Sequence, residues 1–490
     1  MKTHLVRLAA RSLCLSFALA GAHAAASPTG DSATAIQNLE RHNIALEKQL
    51  ADMEQQLLAI KQQLAEIKQQ SNSIAGEQQN HVQAEQLLKT ELAQVSEAAT
   101  QAAQLAATRS AKSETWDKLS LWGYGEAYYT QPTQDKNLTQ ADLARAVFGI
   151  GYQFDDKTRF NSEYEVEHAV SSASDPGEFE VEQFYVDHQI NDKLGFKAGL
   201  FLIPAGFLNE NHEPTNFYGV QRNFVETLII PSTWREGGIG LHGSTDTGFD
   251  WNLGMTTGLD LSKWNFAPTP YRTALELEDN DIAPMQAAHQ ELALANASHP
   301  SAYAALNYRG IPGVTLGGTY FTGGAVAAPT ATPENQRVTL WETHARYQPG
   351  KLDVEALYAH GSLTNTAAVN AAAVSALSTG VTNPMPASFD GWFAQAAYNV
   401  WQSGGYRLAP FVRYEKYDMG ASYEGIAPAN FAAVTGSPSN PAANPIPRDT
   451  VDTIGANFYL NPNVVFKFDY QKFHENVGFS RFDMGMGLQF

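Results

Sequence analysis

The short motifs that could carry catalytic or phosphate-binding chemistry fail on their surroundings. Gly238 to Gly243 matches G-x-G-x-x-G, but a turn and another strand pattern follow it, so no helix N-terminus is available to bind a phosphate. The acidic stretch 276–281 lacks the glycine and the distal glutamate of a calcium-binding loop. Neither H-E-x-x-H nor G-x-S-x-G occurs in the sequence. We therefore expect no enzyme activity, no catalytic residue, no cofactor and no metal site.

The composition excludes several classes of protein. The 490 residues include 32 basic and 51 acidic side chains, which give a formal charge of −19. This balance argues against a nucleic-acid partner, because nucleic acid requires a concentrated basic surface. The hydrophobic content of 43% excludes global disorder. The sequence contains no apolar run long enough for a membrane-spanning helix, but a barrel whose strands hide their apolar half by alternation is compatible with it.

The amino terminus has the features of a secretory signal. Three basic residues precede or flank the apolar stretch 13–20, and a small-x-small cleavage site stands at 22–24. We predict that residues 1–24 are removed as a signal peptide; the alternative is an amphipathic soluble helix. Cys14, the only cysteine of the chain, would be lost with the signal. A mature chain without cysteine suits an oxidising compartment in which no disulfide is needed.

A heptad pattern follows the signal. Residues one heptad apart form two apolar columns, one containing Leu57 and Leu64 and the other Ile60 and Ile67. Spacings of three and four make these columns the a and d positions of a coiled coil, which we place at 35–110. Leucine at a with isoleucine at d favours three or four helices over two. Because a single helix would expose its apolar seam, we expect an oligomer, with a homotrimer as the preferred state.

After Trp116 the hydrophobic period changes from helical to alternating. In the last segment Phe482, Met484 and Met486 share one face, while Arg481 and Asp483 share the other. A β-strand points alternate side chains to opposite faces, so each such strand has one apolar and one polar surface. Alternation alone does not distinguish a soluble sandwich from a membrane barrel.

The lengths of the connections favour the barrel. Short turns of Gly, Pro, Asn and Asp alternate along the chain with longer stretches, notably 203–234, 259–300, 362–387 and 419–448. Short turns at one end and long loops at the other are typical of outer-membrane barrels. We therefore predict an all-β transmembrane barrel of about sixteen antiparallel strands over 119–490, wide enough for an aqueous channel. Both ends of the barrel would lie on the short-turn side, which places the coiled coil in the periplasm and the barrel in the bacterial outer membrane.

Aromatic side chains near the predicted strand ends fit the interfacial girdles of such a barrel. Their alternative is packing within a soluble β protein. The residues are Trp122, Tyr124, Tyr152, Phe154, Tyr347, Tyr358, Tyr398, Trp401, Phe458 and Tyr459.

Three segments resemble the phosphate-selective porin O and P family of outer-membrane channels: 122–124 (WGY), 199–207 (GLFLIPAGF) and 408–415 (LAPFVRYE). The terminal Phe490 is similar to the signal that the barrel-insertion machinery reads. The resemblance implies a sixteen-stranded trimeric porin, a passive diffusion channel for small hydrophilic, usually anionic, solutes such as phosphate. It also implies outer-membrane lipid and lipopolysaccharide as surroundings, and some members carry a periplasmic coiled coil.

The segment 203–234 follows the fifth predicted strand and is the third long loop. In the family that loop folds into the lumen, where it narrows the pore and brings fixed charges near the solute. The candidate constriction residues in or next to the loop are Glu210, His212, Glu213, Arg222, Glu226, Arg235 and Glu236. The positions on the polar face of the predicted strands add further lumen residues: Arg145, Lys197, Arg413 and Glu415.

Two features of these candidates qualify the phosphate assignment. The loop contains no lysine and more acids than bases, which departs from the cation clusters of the phosphate channels. Arg413 and Glu415 stand two apart on one strand, so they can pair with each other instead of with a solute. We expect Arg222 and Arg235, the basic residues in or next to the loop, to attract anions.

Two other interpretations remain open at this point. In the first, the periplasmic coiled coil binds peptidoglycan and tethers the outer membrane to the cell wall, with the barrel as its anchor. In the second, the chain is a secreted soluble β enzyme or binding protein. The first predicts a loosened envelope when the coiled coil is deleted, and the second predicts solubility without detergent.

Overall fold

The computed structural model describes residues 118–170, 177–267, 282–328, 335–376, 381, 383–426 and 447–490, together with ten residues between 44 and 62. The chain divides into two units, 1–118 and 119–490. The predicted signal peptide 1–24 lies outside the described residues. Within the predicted coiled coil 35–110, residues 57–62 are helical and exposed, and most of the segment lies outside the described residues. The coiled coil and its trimer therefore stay predictions.

The second unit is an antiparallel β-sheet of sixteen long strands. The alternating segments form strands because they are rich in β-branched, aromatic and small residues and are separated by turn residues. The strands are β1 Leu119–Pro132, β2 Gln140–Gln153, β3 Thr158–Glu167, β4 Phe179–Asn191, β5 Leu194–Leu202, β6 Arg235–Ser244, β7 Phe249–Thr256, β8 Ser301–Tyr308, β9 Val314–Val326, β10 Gln336–Tyr347, β11 Leu352–Leu363, β12 Pro386–Tyr398, β13 Tyr406–Tyr423, β14 Arg448–Asn461, β15 Val464–Phe473 and β16 Arg481–Gln489.

The sheet closes on itself. Each strand pairs with its sequence neighbour, and β16 pairs antiparallel with β1 from Tyr124–Gln489 to Pro132–Arg481. After a short break β12 continues as Trp401–Ser403, which pairs with β13. Two residues of a long loop, Leu259–Asp260, add a short parallel pairing to β9. Closure leaves no unpaired edge, which is the condition for a sheet to lie in lipid. The predicted barrel is confirmed, with its sixteen strands.

Side chains alternate between an apolar outer face and a polar inner face. On β15, Phe468 faces outward with 51% of its surface exposed, while Lys467 and Asp469 face inward and are buried. On β16, Phe482 and Met484 face outward, and Asp483 is buried inside. Exposed apolar residues recur at the outward positions around the whole barrel, for example Phe148, Ile239 and Ile454. An apolar outer surface around a charged interior is the arrangement of a transmembrane barrel.

Short turns and long loops alternate as predicted. The short turns are 154–157, 192–193, 245–248, 309–313, 348–351, 404–405 and 462–463, and the connections at the other end are 133–139, 168–178, 203–234, 257–300, 327–335, 364–385, 424–447 and 474–480. Because the strand number is even, the start of β1 and the end of β16 both lie at the short-turn end.

Helical structure in this unit is confined to the long loops. Loop 364–385 contains α1, Thr366–Ala376, and single helical turns occur at Lys136–Leu138, Val225–Ile229, Leu261–Lys263, Gln286–Ala288 and Val477–Phe479. Among the described residues, no helix combines the length and the apolar character needed to cross a bilayer.

The girdle prediction is wrong for three of the ten aromatic residues. Trp122 turns its indole N–H to Glu163, and Tyr124 and Tyr459 are buried and hydrogen-bond to groups inside the barrel. Phe154, Tyr347, Tyr398 and Trp401 are exposed next to the short turns, as a girdle at that end requires.

The outward orientation of Phe468 predicts how a substitution there changes the free energy of unfolding. Replacing it with arginine (Phe468→Arg) places a charge in mid-strand on the lipid face, where such a charge costs about 2–4 kcal/mol. Val477→Arg is the control, because Val477 is also about half exposed (53%) but lies in loop 474–480. Urea unfolding of protein in lipid vesicles, followed by tryptophan fluorescence, would measure both. Equal losses in the two variants would contradict a lipid-facing Phe468.

Candidate functional site in the barrel lumen

Loop 203–234 is closed at its base by hydrogen bonds between its two ends. Ile203 N donates to Trp234 O at 2.9 Å. The Asn209 side chain joins both strands of this base: Nδ2 donates to Ile203 O (2.7 Å) and to Trp234 O (2.8 Å), and Oδ1 accepts from Trp234 N (2.6 Å). Asn209 is buried. The Asn209 amide therefore reinforces the backbone bond that closes the loop where it leaves β5 and enters β6.

Glu226 organises the interior of the loop. Its Oε1 accepts from the backbone of Phe207 (2.5 Å) and Leu208 (2.9 Å), and its Oε2 accepts from Asn223 Nδ2 (2.7 Å). Gly206 lets the backbone pass close to this carboxylate, since it adopts φ +69° and a Cβ there would lie 2.3 Å from Glu226 Oε1. Burial raises the pKa of Glu226 above its usual value, despite these hydrogen bonds.

Charged and polar side chains of β13, β14 and β15 hold the tip of the loop. Phe224 N donates to Glu415 Oε2 (2.7 Å). Val220 N donates to Asp469 Oδ2 (2.6 Å). Other contacts of the same kind run from Gly219 N to Asn457 Oδ1 (3.2 Å), from Asn457 Nδ2 to Phe217 O (3.0 Å) and from Arg413 Nη1 to Tyr218 O (3.2 Å). Side chains of the barrel wall therefore supply hydrogen-bond partners for loop backbone groups that are not paired in the sheet.

The loop reaches the other side of the lumen at His212. Arg145 of β2 donates through Nη2 to His212 O (2.5 Å), and Tyr124 Oη of β1 lies 2.6 Å from His212 Nε2. The imidazole is buried, and burial, with Arg222 and Arg145 nearby, lowers the pKa of His212 well below its usual value. Contacts to β1 and β2 on one side and to β13, β14 and β15 on the other place loop 203–234 across the interior of the barrel.

An apolar core fills part of the lumen on the side of β9 to β15. Phe224, Ile229 and Trp234 of the loop belong to one buried cluster with inward side chains such as Phe321 of β9 and Phe389 of β12. Trp234 packs edge-on against Phe321, with ring centroids 4.6 Å apart. This part of the interior has the composition of a globular core and differs from the remaining side, towards β1 to β7.

Two cavities lie on that remaining side. The inner cavity, about 680 Å³, is lined by Arg159, Asp187, Lys197, Glu210 and His242 and reaches the 192–193 turn. The outer cavity, about 120 Å³, is lined by Glu126, Arg145, Glu165, Glu167 and Arg222 and reaches His168 at the long-loop end. Along β3, Arg159 belongs to the inner cavity and Glu165 to the outer one, so Glu163 lies between them. The outer cavity is the smaller of the two.

The predicted lumen residues are inside the barrel but differ in their partners. Lys197 lies 3.6 Å from Glu210 of the loop. Arg413 Nε donates to Glu415 Oε1 at 2.9 Å, so the expected mutual pair exists. Glu213 accepts from Asn216 Nδ2 (2.7 Å).

The two arginines predicted to attract anions lie in different surroundings. Arg235 is buried and pairs with Glu180 and, at 2.8 Å, with Glu291. Its neighbour Glu236 is also buried and accepts from Thr257 Oγ1 (2.6 Å). Arg222 lines the outer cavity and donates to Thr233 Oγ1 (3.1 Å). Arg222 is therefore the better candidate for contact with a solute, and both assignments stay predictions.

Two residues of the site, Asn209 and Asn457, hold the loop and were not singled out by sequence reasoning. Tyr124, which the sequence assigned to the girdle, contacts His212 from the wall instead. The alternation of β14 predicts that Asn457 faces the lumen, so this residue could have been found from the sequence. No local sequence pattern indicates the role of Asn209. The G-x-G-x-x-G segment lies within β6 and pairs with β5 and β7, and the acidic stretch 276–281 lies outside the described residues.

The sequence comparisons do not identify a family. No known protein-family model matches the chain. An uncharacterized protein of Aquifex aeolicus is 28% identical over 356 residues, covering 72% of this chain and 75% of that protein. Membership of the O and P family therefore stays a prediction from resemblance.

Among solved structures, the chain is similar to barrels with low sequence identity. Salmonella typhi OmpF in complex with daunomycin is 12% identical, with a TM-score of 0.49 over 76% of this chain and 97% of that one. The anion-selective porin from Comamonas acidovorans is 11% identical, with a TM-score of 0.44 over 76% and 99%. The outer membrane channel DcaP of Acinetobacter baumannii is 10% identical, with a TM-score of 0.43 over 76% and 97%.

The Asn209 clamp can be tested by Asn209→Ala. The change removes three hydrogen bonds. Trp234 O and Ile203 O keep backbone donors, but Trp234 N loses its partner, so we expect the docked loop to lose about 1–3 kcal/mol. Hydrogen exchange at loop 203–234 should accelerate, while exchange in the strands should stay slow. Asn211→Ala is the control, since the Asn211 side chain is exposed and its Nδ2 makes a long contact of 3.4 Å to Phe207 O. Unchanged loop exchange in Asn209→Ala would contradict the clamp.

Proposed function

We propose that this chain is an outer-membrane porin, a passive diffusion channel for small hydrophilic solutes. The observation that carries the proposal is the combination of an apolar outer surface with a charged, cavity-containing lumen crossed by loop 203–234. A soluble β protein buries its apolar strand faces against another sheet, whereas here large side chains such as Phe468 and Ile454 stand exposed around a polar interior. We therefore set aside the secreted soluble alternative.

The constriction would lie on the side of β1 to β7, between the inner and the outer cavity. The loop reaches the wall there at His212, and the outer cavity has less than a fifth of the volume of the inner one. Solutes would therefore be selected first by size and then by the charges of the outer cavity. Since diffusion down a gradient requires no bond to be made or broken, the channel has no need of a catalytic residue.

Anion preference is the finer part of the proposal. The outer cavity is lined by Arg145 and Arg222 but also by Glu126, Glu165 and Glu167. A lining of both signs supports a modest preference and argues against a dedicated phosphate channel, which would concentrate cations. Phosphate is therefore one candidate solute among small anions.

The remaining partners are also proposals. A trimer would be held through the predicted coiled coil, and lipid with lipopolysaccharide would surround the barrel. The alternative of an envelope tether, in which the coiled coil binds peptidoglycan, rests on residues outside those that the structure describes.

Planar-bilayer recording tests the channel directly. Refolded full-length protein should insert and give stepwise, ohmic conductance, and vesicles containing it should swell in small sugars faster than in large ones. Heat-denatured protein is the matched control. Bilayers that stay silent with correctly folded protein would overturn the proposal.

Selectivity tests the assignment of Arg222. Two unit charges a few ångströms apart in water interact by about 1 kcal/mol. Since the charge attracts an anion and repels a cation, Arg222→Gln should lower the anion-to-cation permeability ratio by up to about thirtyfold. Lys351→Gln removes the same charge from the exposed 348–351 turn and should leave the ratio unchanged. Reversal potentials under a salt gradient measure both variants. Equal ratios for wild type and Arg222→Gln would rule out this residue as the source of anion preference.

A further inference from the structure

Three side chains with metal-ligating atoms meet between the two cavities. Glu163 of β3, Glu182 of β4 and His212 of loop 203–234 each offer one such atom, and these atoms lie within 4.8 Å of one another. All three residues are buried. The three come from separate segments of the chain, and His212 is brought to the wall by the loop.

Several buried hydrogen-bond acceptors at this point have no donor. His212 Nδ1 donates to Asn209 O at 2.9 Å, so Nε2 of the neutral ring is an acceptor. The single proton of Tyr124 Oη faces two acceptors, His212 Nε2 at 2.6 Å and Glu182 Oε2 at 2.9 Å. Glu182 Oε1, 3.7 Å from His212 Nε2, and Glu165 Oε1 are buried with no hydrogen-bond partner among the described residues. Buried acceptors without donors are costly, and a cation would satisfy them.

The charges at this point are also unbalanced. Arg145 Nε donates to Glu126 Oε1 at 2.8 Å, so the guanidinium beside the site is already paired with one acid, although its Nη1 has no hydrogen-bond partner among the described residues. Glu163, Glu165 and Glu182 lie beside that pair and are all buried. Glu163 accepts hydrogen bonds from two neutral donors, which add no charge and leave lone pairs on both of its oxygens. A group of buried carboxylates with this excess of negative charge favours protons or a bound cation.

We propose that Glu163, Glu182 and His212 bind a divalent cation of the first transition series, with zinc as the representative. One imidazole nitrogen with two carboxylates suits zinc and its neighbours, whereas calcium and magnesium prefer oxygen ligands alone. Three protein ligands leave the fourth position of a tetrahedral site to water. The three ligands lie far apart in the sequence, so no short motif contains them, and the fold alone brings them together.

Occupation of the site would tie the loop to the wall. Ligand atoms of a tetrahedral zinc lie roughly 3.3 Å apart, given bonds of about 2.0 Å, so the three groups must approach one another more closely than the 4.8 Å that encloses them. His212 belongs to the loop, whereas Glu163 and Glu182 belong to paired strands. The cation would therefore draw the loop towards β3 and β4.

Calorimetry of the full-length protein in detergent with zinc chloride tests the site. Wild type should bind one zinc ion, and Glu182→Gln and Glu163→Gln, which keep the size of the side chain, should bind it at least tenfold more weakly. Glu475→Gln is the matched control, because Glu475 is exposed in loop 474–480 and is not among the clustered ligands, and it should bind as wild type does. Magnesium and calcium should bind more weakly than zinc. Wild-type affinity in both Glu182→Gln and Glu163→Gln would overturn the site.

Zinc-edge X-ray absorption of the wild-type complex remains decisive even where a variant misfolds. The expected spectrum has one imidazole nitrogen with oxygen ligands at about 2.0–2.1 Å, and a zinc ion held by imidazoles alone would overturn the site as an adventitious surface complex. The binding readouts do not depend on the proposed channel. Silent bilayers combined with one bound zinc ion would defeat the porin proposal and support the zinc site. Normal conductance without zinc binding would support the porin proposal and defeat the zinc site.

Discussion

The backbone of loop 203–234 leaves the sheet and enters the interior of a barrel, so its amides and carbonyls need new hydrogen-bond partners. Strand backbone cannot supply them, because each strand is already paired on both sides. The partners are inward side chains: Glu415 binds Phe224 N, Asp469 binds Val220 N and Arg413 binds Tyr218 O. A buried amide without a partner costs on the order of 1–3 kcal/mol. Most of the arrangement of the lumen follows from this requirement.

One consequence is that a charge facing the lumen is not necessarily available to a solute. Arg413 and Glu415 pair with each other and with the loop, so their charges are largely used in holding it. The same holds for Arg145, which binds Glu126 and the carbonyl of His212. Fixed charges act on a permeating ion only where water and the ion can reach them. The inner and outer cavities are therefore better guides to selectivity than the inward face of each strand.

The sequence predicts the barrel well because the period of two is a local property. The alternation of apolar and polar neighbours predicts which face of the strand Phe482, Asp483 and Met484 lie on. The turn residues between the strands predict the hairpins. The position of loop 203–234 as the third long connection follows from counting. The parity of Arg413 and Glu415 predicts that they share a face, and their separation of two residues predicts their pairing.

The errors have physical reasons too. Tyr124 and Trp122 carry both an apolar ring and a polar group, so either an interfacial or an inward position satisfies them, and only the fold decides. Asn209 bonds to Trp234, 25 positions away, and no local pattern encodes such a contact. The lumen side of β10 begins with Val338 and Leu340, which belong to a buried apolar cluster with residues of loops 203–234, 257–300 and 364–385. A rule that assigns polar residues to the lumen fails wherever another part of the chain replaces the water.

The two arginines of the loop region show how these constraints bear on selectivity. Arg235 lies between Glu180 and Glu291, so an anion at that point would meet a neutralised charge and would have to displace a carboxylate. Arg222 stands with Glu165 and Glu167 around the small outer cavity. Charges of both signs line this cavity, so their effects on a net charge partly cancel, while a dipolar solute would be oriented by them. If the proposed porin discriminates among solutes, size and dipole would therefore count for more than net charge, which is the opposite of what a dedicated phosphate channel requires.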